Sequence, residues 1–320
     1  MRAVVVTDPA QPWSIQEVPA PEPGPGQVLV RVAASGVCRN DLGQPAGTPG
    51  HEIAGEVVRL GAGVQTRQAG DRVGVMLWQS SCGRCEWCRR GRSLDCIDLI
   101  GTSIHRPGGH AEYLLADAAA TVLLPDELSF EQAAPLMCAG YTAYSGLRTA
   151  APRPGERVAV VGVGGIGHLA IQYAKAAGFH TVAVSQSPQK EAAARRLGAD
   201  EFVNDGTGLA RLGGADVVLA TSSDVQAHAD AAAALRPEGR LVVMGLGAEP
   251  LTLNTSDLIV KRLQVLGSQH NHPEHLYEAL TLGAAGQVEV ATETYRLDEA
   301  ATAQQRLRDG AVRFRAVLTA

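Results

Sequence analysis

Residues 157–178, RVAVVGVGGIGHLAIQYAKAAG, run a strand-like stretch straight through a glycine turn into a helix-like stretch. Glycines at 162, 164 and 167 make a G-x-G-x-x-G in the setting that gives the pattern meaning, directly after a buried-type strand and at the opening of a helix. Gly162 permits the tight turn, Gly164 lets a pyrophosphate approach the backbone, and Gly167 lets helix and strand pack closely. Gly165 and Ile166 complete the loop. The helix start supplies unpaired N–H groups and the positive end of a dipole. A chain with this segment is expected to build a parallel sheet there and to bind a dinucleotide.

The rhythm continues downstream. HTVAVS (180–185), EFVN (201–204), ADVVLAT (215–221), RLVVMG (240–245) and LQVLGS (263–268) read as further strands. Helical runs such as SPQKEAAARRLG (187–198), DVQAHADAAAAL (224–235) and TSDLIVKR (255–262) lie among them. Six strands suffice for two mononucleotide-binding halves, a Rossmann fold. In NAD-binding versions an acid about 20 residues past the glycines holds the ribose 2′-hydroxyl. Here AVSQSPQK puts Ser185 at that place, with Ser187 and Lys190 behind it. Hydroxyls and a lysine suit a 2′-phosphate that a carboxylate would repel, so NADP(H) is expected over NAD(H).

The first third has another texture. RAVVVTD, QVLVRVAASG, EIAGEVVRLG and DRVGVML are short β-branched runs cut by Gly, Pro and Asp, and PAPEPGPG (19–26) is a surface turn. SFEQAAPLMCAGYTAYSGLRTA (129–150) has helical spacing, with Ser129 as N-cap and Gln132 three residues on. The expected organisation is a β-rich domain at 1–139, the dinucleotide domain at 140–267, and a return to the first domain at 268–320. A hydrophobic fraction of 45% in 320 residues is enough for two cores. A net charge of −5 offers no footprint for nucleic acid or an anionic membrane. MRAVVVTDPA has no apolar core of a secretory signal, and no apolar run is long enough to cross a bilayer. The expected address is the cytoplasm, where clustered cysteines bind metal more often than they pair.

The clustering is pronounced. Cys82, Cys85, Cys88 and Cys96 follow C-x2-C-x2-C-x7-C within residues 80–97, a spacing that can wrap one tetrahedral Zn²⁺ as a closed structural site. Glycines at 83 and 91 help the loop coil, and Arg84, Arg89, Arg90 and Arg92 offset the thiolate charge. The remaining cysteines, Cys38 in GVCRNDL and Cys138 in PLMCAGYTAY, flank His51 in PGHEIAGEV. Two thiolates and one imidazole form a Cys2His set, a catalytic type that keeps its fourth position for water or substrate. Two zinc ions per chain are expected.

Taken together, GVCRND, GHE, CGRCEWCRRGRSLDC, PLMCAGYT, GVGGIG and the C-terminal GAVRFRAVL resemble the zinc-containing alcohol dehydrogenases of the medium-chain family. The motifs run through almost the whole chain in the family's order. The resemblance implies a GroES-like catalytic domain interrupted by the Rossmann domain, an active site in the cleft between them, and a homodimer or homotetramer built through the Rossmann domain. It implies Cys38, His51 and Cys138 as ligands of the catalytic zinc, with Glu52 beside them able to join ligand exchange. Asp41 matches a carboxylate that fixes the tautomer of the ligand histidine. Arg39 and Arg315 match contacts to the cofactor pyrophosphate, and Thr142 a neighbour of the nicotinamide. Two departures stand out. Asn40 occupies the place of the hydroxyl that starts the family's proton relay, and Gly43 that of a relay histidine. The stretch from Cys38 to His51, with 12 residues between them, is shorter than is common in the family.

The leading expectation is hydride transfer between NADP(H) and a small-molecule alcohol, aldehyde or ketone at zinc. Asn40 cannot shuttle protons near neutral pH, which leaves open reduction of an iminium ion or a conjugated alkene. A non-catalytic NADP(H)-binding protein is the remaining alternative. The pocket is expected to draw on parts of 40–48, Trp78, His105 to His110 and His270 to His272, with SQHNHPEH (268–275) read as a solvated loop.

Overall fold

Strand Gln27–Val37 is the spine of the first of two units, and its alternation explains why. Val28, Val30 and Val32 point the same way, as period-two geometry requires, into a core with Ile53, Val57, Val73, Val75 and Leu114. The computed structural model describes residues 1–319. Compact packing divides the chain into Met1–Cys138 with Val290–Ala320, and Ala139–Glu289.

In the first unit a seven-stranded sheet runs in the order Thr292–Arg296, Arg315–Thr319, Gln27–Val37, Ile53–Leu60, Arg72–Val75 and Thr121–Leu123, with Tyr113–Asp117 also paired to the spine. The spine shares one long edge between two partners. Its N-terminal half pairs with Tyr113–Asp117 and its last residues with Arg315–Thr319. Irregularities in register between Leu29 and Val30, and between Val32 and Ala34, bend it against Ile53–Leu60. A second core, with Val4, Trp13, Val37, Leu297, Ala303 and Leu318, closes the other end.

The second unit is a six-stranded, wholly parallel sheet ordered Glu201–Val203, His180–Val184, Arg157–Val161, Ala215–Ala220, Leu235–Val243 and Gln264–Gly267. The order reverses between Arg157–Val161 and Ala215–Ala220, so the strand ends splay there and leave the crevice in which such sheets bind ligands. Ala159, Val161, Val182, Val218 and Leu241 fill the core beneath it. No helix among the described residues is long and apolar enough to cross a membrane.

Two expectations about the chain path need correction. The return to the first unit comes at Val290, not at 268. Helix Pro273–Ala284 stays with the second unit because it buries Leu276, Ala279 and Leu280, and because its Glu278 and His275 meet Arg148 and Ser145 of helix Tyr141–Ala150. The run 129–150 is also not one regular helix. Ser129 caps Phe130–Pro135 by accepting from the N–H of Gln132 at 3.3 Å, but Leu136–Gly140 is wound as a π turn after Pro135, which has no N–H to donate. Cys138 sits in that turn.

Candidate functional site

Cys38, His51, Glu52 and Cys138 offer ligand atoms that all lie within 4.8 Å of one another. Local chemistry places each of them. Cys38 follows the spine strand directly and caps the 3-10 turn Arg39–Gly43. Asp41 ties that turn back, its Oδ2 accepting from the Cys38 N–H at 2.8 Å. Gly50, at φ +101°, turns the chain into His51 and Glu52 just before strand Ile53–Leu60. Glu52 lies across Gly36, where an added Cβ would stand 2.1 Å from Oε2.

His51 and Glu52 are buried, Cys38 and Cys138 are half-buried, and the set is electrically tense. Cys138 beside it, and then His51, hold the Cys38 thiol well below the ordinary range although burial opposes this. Cys138 is pushed up correspondingly, by its contact with Cys38 and by burial. Burial also works against the Asp41 carboxylate, yet His51 and His110 hold it below the usual range. Asp41 Oδ1 lies 3.0 Å from His51 Nδ1, which leaves His51 Nε2 as the ring atom that could take a metal. Burial raises Glu52 to about 7 in spite of Arg315. Two thiols, an imidazole and a carboxylate at this spacing fit a divalent ion that prefers nitrogen and sulfur.

Arg315 makes a contact that the sequence does not announce: its Nη2 donates to Glu52 Oε1 and Oε2 at 2.6 and 2.5 Å, and it is buried within the first unit. Strand Arg315–Thr319 pairs with the spine beside Gly36, which points the guanidinium inward.

The second constellation is self-contained. Cys82, Cys85, Cys88 and Cys96 bring their sulfurs within 4.8 Å, with Cys85 Sγ 3.5 Å from Cys88 Sγ and 3.9 Å from Cys96 Sγ. The edges of a tetrahedron with zinc–sulfur bonds of about 2.3 Å measure about 3.8 Å, so the site fits the ion. Backbone N–H groups of Cys82, Cys85 and Asp98 point at sulfur. N–H groups, that of Cys88 first, lower Cys85 to about 6. All six cysteines are free of disulfides.

In the second unit the glycines stand as their spacing implied. Gly162 adopts φ +96°, and an added Cβ at Gly167 would lie 1.8 Å from the Gly162 carbonyl oxygen, whereas Gly164 faces open space. Beside this turn a crevice of about 90 Å³ is lined by Ser185, Gln186, Asn204, Asp205, Ser222 and Asp224, among others. The sequence does not mark the last four, because two strand ends far along the chain from the glycine turn deliver them, Glu201–Val203 and Ala215–Ala220. Asp205 and Asp224 cap helices, accepting from the N–H of Gly208 at 2.7 Å and of Ala227 at 3.1 Å. Ser187 lies one turn away, its N–H donating to Ser185 Oγ at 3.4 Å, and Lys190 ends the following 3-10 turn without lining the crevice. Thr142 is buried in Tyr141–Ala150. Arg39, Asn40 and Gly43 are exposed on their turn.

Two expected pocket residues are elsewhere. The His110 ring is fully buried against Trp13, next to Asp41. His270 is buried too, stacked on Tyr141 at 4.3 Å, so only part of 268–275 is solvated.

Comparison with known proteins yields two family models, "zinc-binding dehydrogenase" over residues 165–285 and "alcohol dehydrogenase GroES-like domain" over residues 24–126. An alcohol dehydrogenase of Rhizobium meliloti is 38% identical over 334 residues, covering 99% of this chain and 98% of its own. The acetophenone reductase of Geotrichum candidum, solved in complex with NAD, superposes with a TM-score of 0.89 at 28% identity, covering 100% of this chain and 97% of its own. CAD from Helicobacter pylori, solved with NADP(H), gives a TM-score of 0.88 at 25% identity, covering 99% of this chain and 97% of its own.

Proposed function

The chain belongs to the zinc-containing alcohol dehydrogenases of the medium-chain family, and on that footing we propose an NADP(H)-preferring oxidoreductase that interconverts an alcohol with its aldehyde or ketone. The observation that carries this reading is the convergence of Cys38, His51, Glu52 and Cys138 within 4.8 Å. Those residues would hold the catalytic zinc, and the four-cysteine loop a structural one. When bound, the catalytic ion supplies Lewis acidity at the substrate oxygen and the nicotinamide supplies or accepts hydride.

The chain's own residues do the rest. Asp41 fixes His51 in the Nδ1–H tautomer, which keeps Nε2 available as a ligand. Arg315 balances the buried Glu52 charge and keeps that carboxylate beside the thiols. Asn40 and Gly43 supply no relay, but both are exposed, so solvent reaches their turn. Proton exchange with water there favours the carbonyl reading over an iminium or alkene substrate. Asn40→Thr tests this point. A large gain in carbonyl reduction alone would mean that water does not serve.

Cofactor choice rests on strand His180–Val184 ending in Ser185 rather than an acid. Asp205 and Asp224 line the same crevice, but each directs an oxygen to a helix N-terminus. A second copy of the chain is the proposed partner, at the sheet edge Gln264–Gly267. Val265 there, and Ile259 and Val260 of the helix preceding that strand, are left exposed.

The test is a panel of aldehydes, ketones, cyclic imines and enones assayed with NADPH and NADH, read beside zinc content. Turnover of carbonyls with NADPH at two zinc per chain supports the proposal. Zinc binding with no turnover of any class would overturn it.

A further inference from the structure

Asp41 has a second histidine. While its Oδ1 faces His51, its Oδ2 lies 3.4 Å from Nε2 of His110, a residue from a different loop. The other ring nitrogen, Nδ1, is 2.8 Å from Oγ of Ser35 on the spine strand. Ser35, His110, Asp41 and His51 thus form one buried file, with exposures of 1%, 0%, 1% and 3%.

The backbone around His110 is pinned for this arrangement. Its N–H donates to the Pro49 carbonyl at 3.0 Å and its carbonyl accepts from the Val4 N–H at 2.8 Å. Trp13 packs on the ring at 5.2 Å. The residue before the ligand histidine makes room. A Cβ at Gly50 would stand 2.5 Å from His110 Nδ1. Such placement exceeds what a hydrophobic filler needs, since a phenylalanine would pack on Trp13 without polar partners.

The proton directions close. For Asp41 Oδ2 to accept, His110 must carry hydrogen on Nε2. Ser35 secures this in the neutral ring by donating its O–H to Nδ1. Asp41 then accepts from the Cys38 N–H and faces ring nitrogens of His51 and His110 at 3.0 and 3.4 Å, and cannot rotate without losing one of these contacts. We infer that His110 is a positioning residue for the metal site, holding Asp41, and through it His51, in ligand geometry, with Ser35 setting its tautomer. The inference rests on the reading of Cys38, His51 and Cys138 as zinc ligands.

The experiment uses the full-length zinc-loaded protein. It measures how fast dipicolinate removes the catalytic zinc, and the d–d spectrum after Co²⁺ exchange into that site. His110→Phe removes both polar contacts. His110→Asn places a nitrogen near Nδ1 and keeps only the Ser35 side. His110→Gln places one near Nε2 and keeps the Asp41 side. Loss of a partner this close to a metal ligand is expected to accelerate zinc removal about 10-fold in the Phe and Asn variants and to shift the cobalt spectrum, with Gln close to wild type. Ser35→Ala should fall between. Wild-type behaviour of His110→Phe overturns the inference, as does equal impairment of Asn and Gln, which would mean packing alone. If His110→Phe does not fold, the Asn and Gln pair decides by itself. Cys38→Ser separates the two levels. Unchanged zinc content in that variant overturns the ligand reading and this inference together, whereas its loss of one zinc with indifferent His110 variants overturns the inference only.

Discussion

Arg315 reaches both carboxylate oxygens of Glu52, at 2.6 and 2.5 Å, although 263 residues separate them in the chain. Neither side chain is open to solvent, so each is the other's principal compensation for burial. Removing one leaves an unmatched charge beside two thiols. Arg315→Met is expected to destabilise the protein by about 3–5 kcal/mol, with much of that recovered in the Arg315→Met, Glu52→Gln double variant. A denaturant double-mutant cycle checks this. Additive losses would mean that the pair is not coupled.

The same carboxylate gives a pH signature. Burial raises Glu52 from 4.5 to about 7 in the folded chain. The folded state therefore keeps a proton that the unfolded state releases, and stability falls as pH rises through that window. In protein stripped of metal, the wild type should lose stability relative to Glu52→Gln between about pH 4.5 and 7, with no further difference from this group above that. Thermal melts of the two proteins across the range measure it.

Cofactor preference should turn on Ser185. An aspartate there would face a 2′-phosphate with like charge and offer a ribose hydroxyl an acceptor. Ser185→Asp should move the NADPH-to-NADH ratio of kcat/KM by about 10-fold or more toward NADH, carried mostly by KM. A wild type that already favours NADH would defeat the NADP(H) proposal.

The four-cysteine loop should be separable from turnover. Cys85→Ser is expected to lower zinc by one per chain and the melting temperature by about 5–10 °C. Activity of the protein that remains folded should persist at low temperature. Retained zinc with lost turnover would reverse the two site assignments.

At the sheet edge, Ile259→Lys with Val260→Lys should shift the chain toward monomer in light scattering, because two charges would replace apolar surface next to an open strand. An unchanged mass would place any self-association elsewhere.

Legibility in the sequence followed distance along the chain. The roles of Gly162 and Gly167 were readable because strand, turn and helix are consecutive, and a missing Cβ has one local reason. Spacing exposed the four-cysteine loop for the same reason. Cys38, His51 and Cys138 were legible through their residue types and order, since few other purposes gather them. Arg315 was not, because its partner Glu52 is brought to it only by the pairing of Arg315–Thr319 with the spine strand. The burial of His110 is hidden in the sequence for a similar reason. Ser35 and Asp41 are 75 and 69 residues away, and a histidine in a glycine-rich loop carries no mark of burial. Helix Pro273–Ala284 has an apolar face that suits either unit, so periodicity could not tell which one it joins.

Gly36 binds nothing, donates no side chain and would pass unremarked in any scan of functional residues. Yet Oε2, Cβ and Cδ of Glu52 all lie within 3.1 Å of where its Cβ would be. A single methyl group there would displace the carboxylate from Arg315 and leave a buried guanidinium without its anion. Among naturally arising variants of this chain, Gly36→Ala should therefore behave as a loss of Glu52 in disguise, one more carbon on a strand doing the damage of a deleted carboxylate.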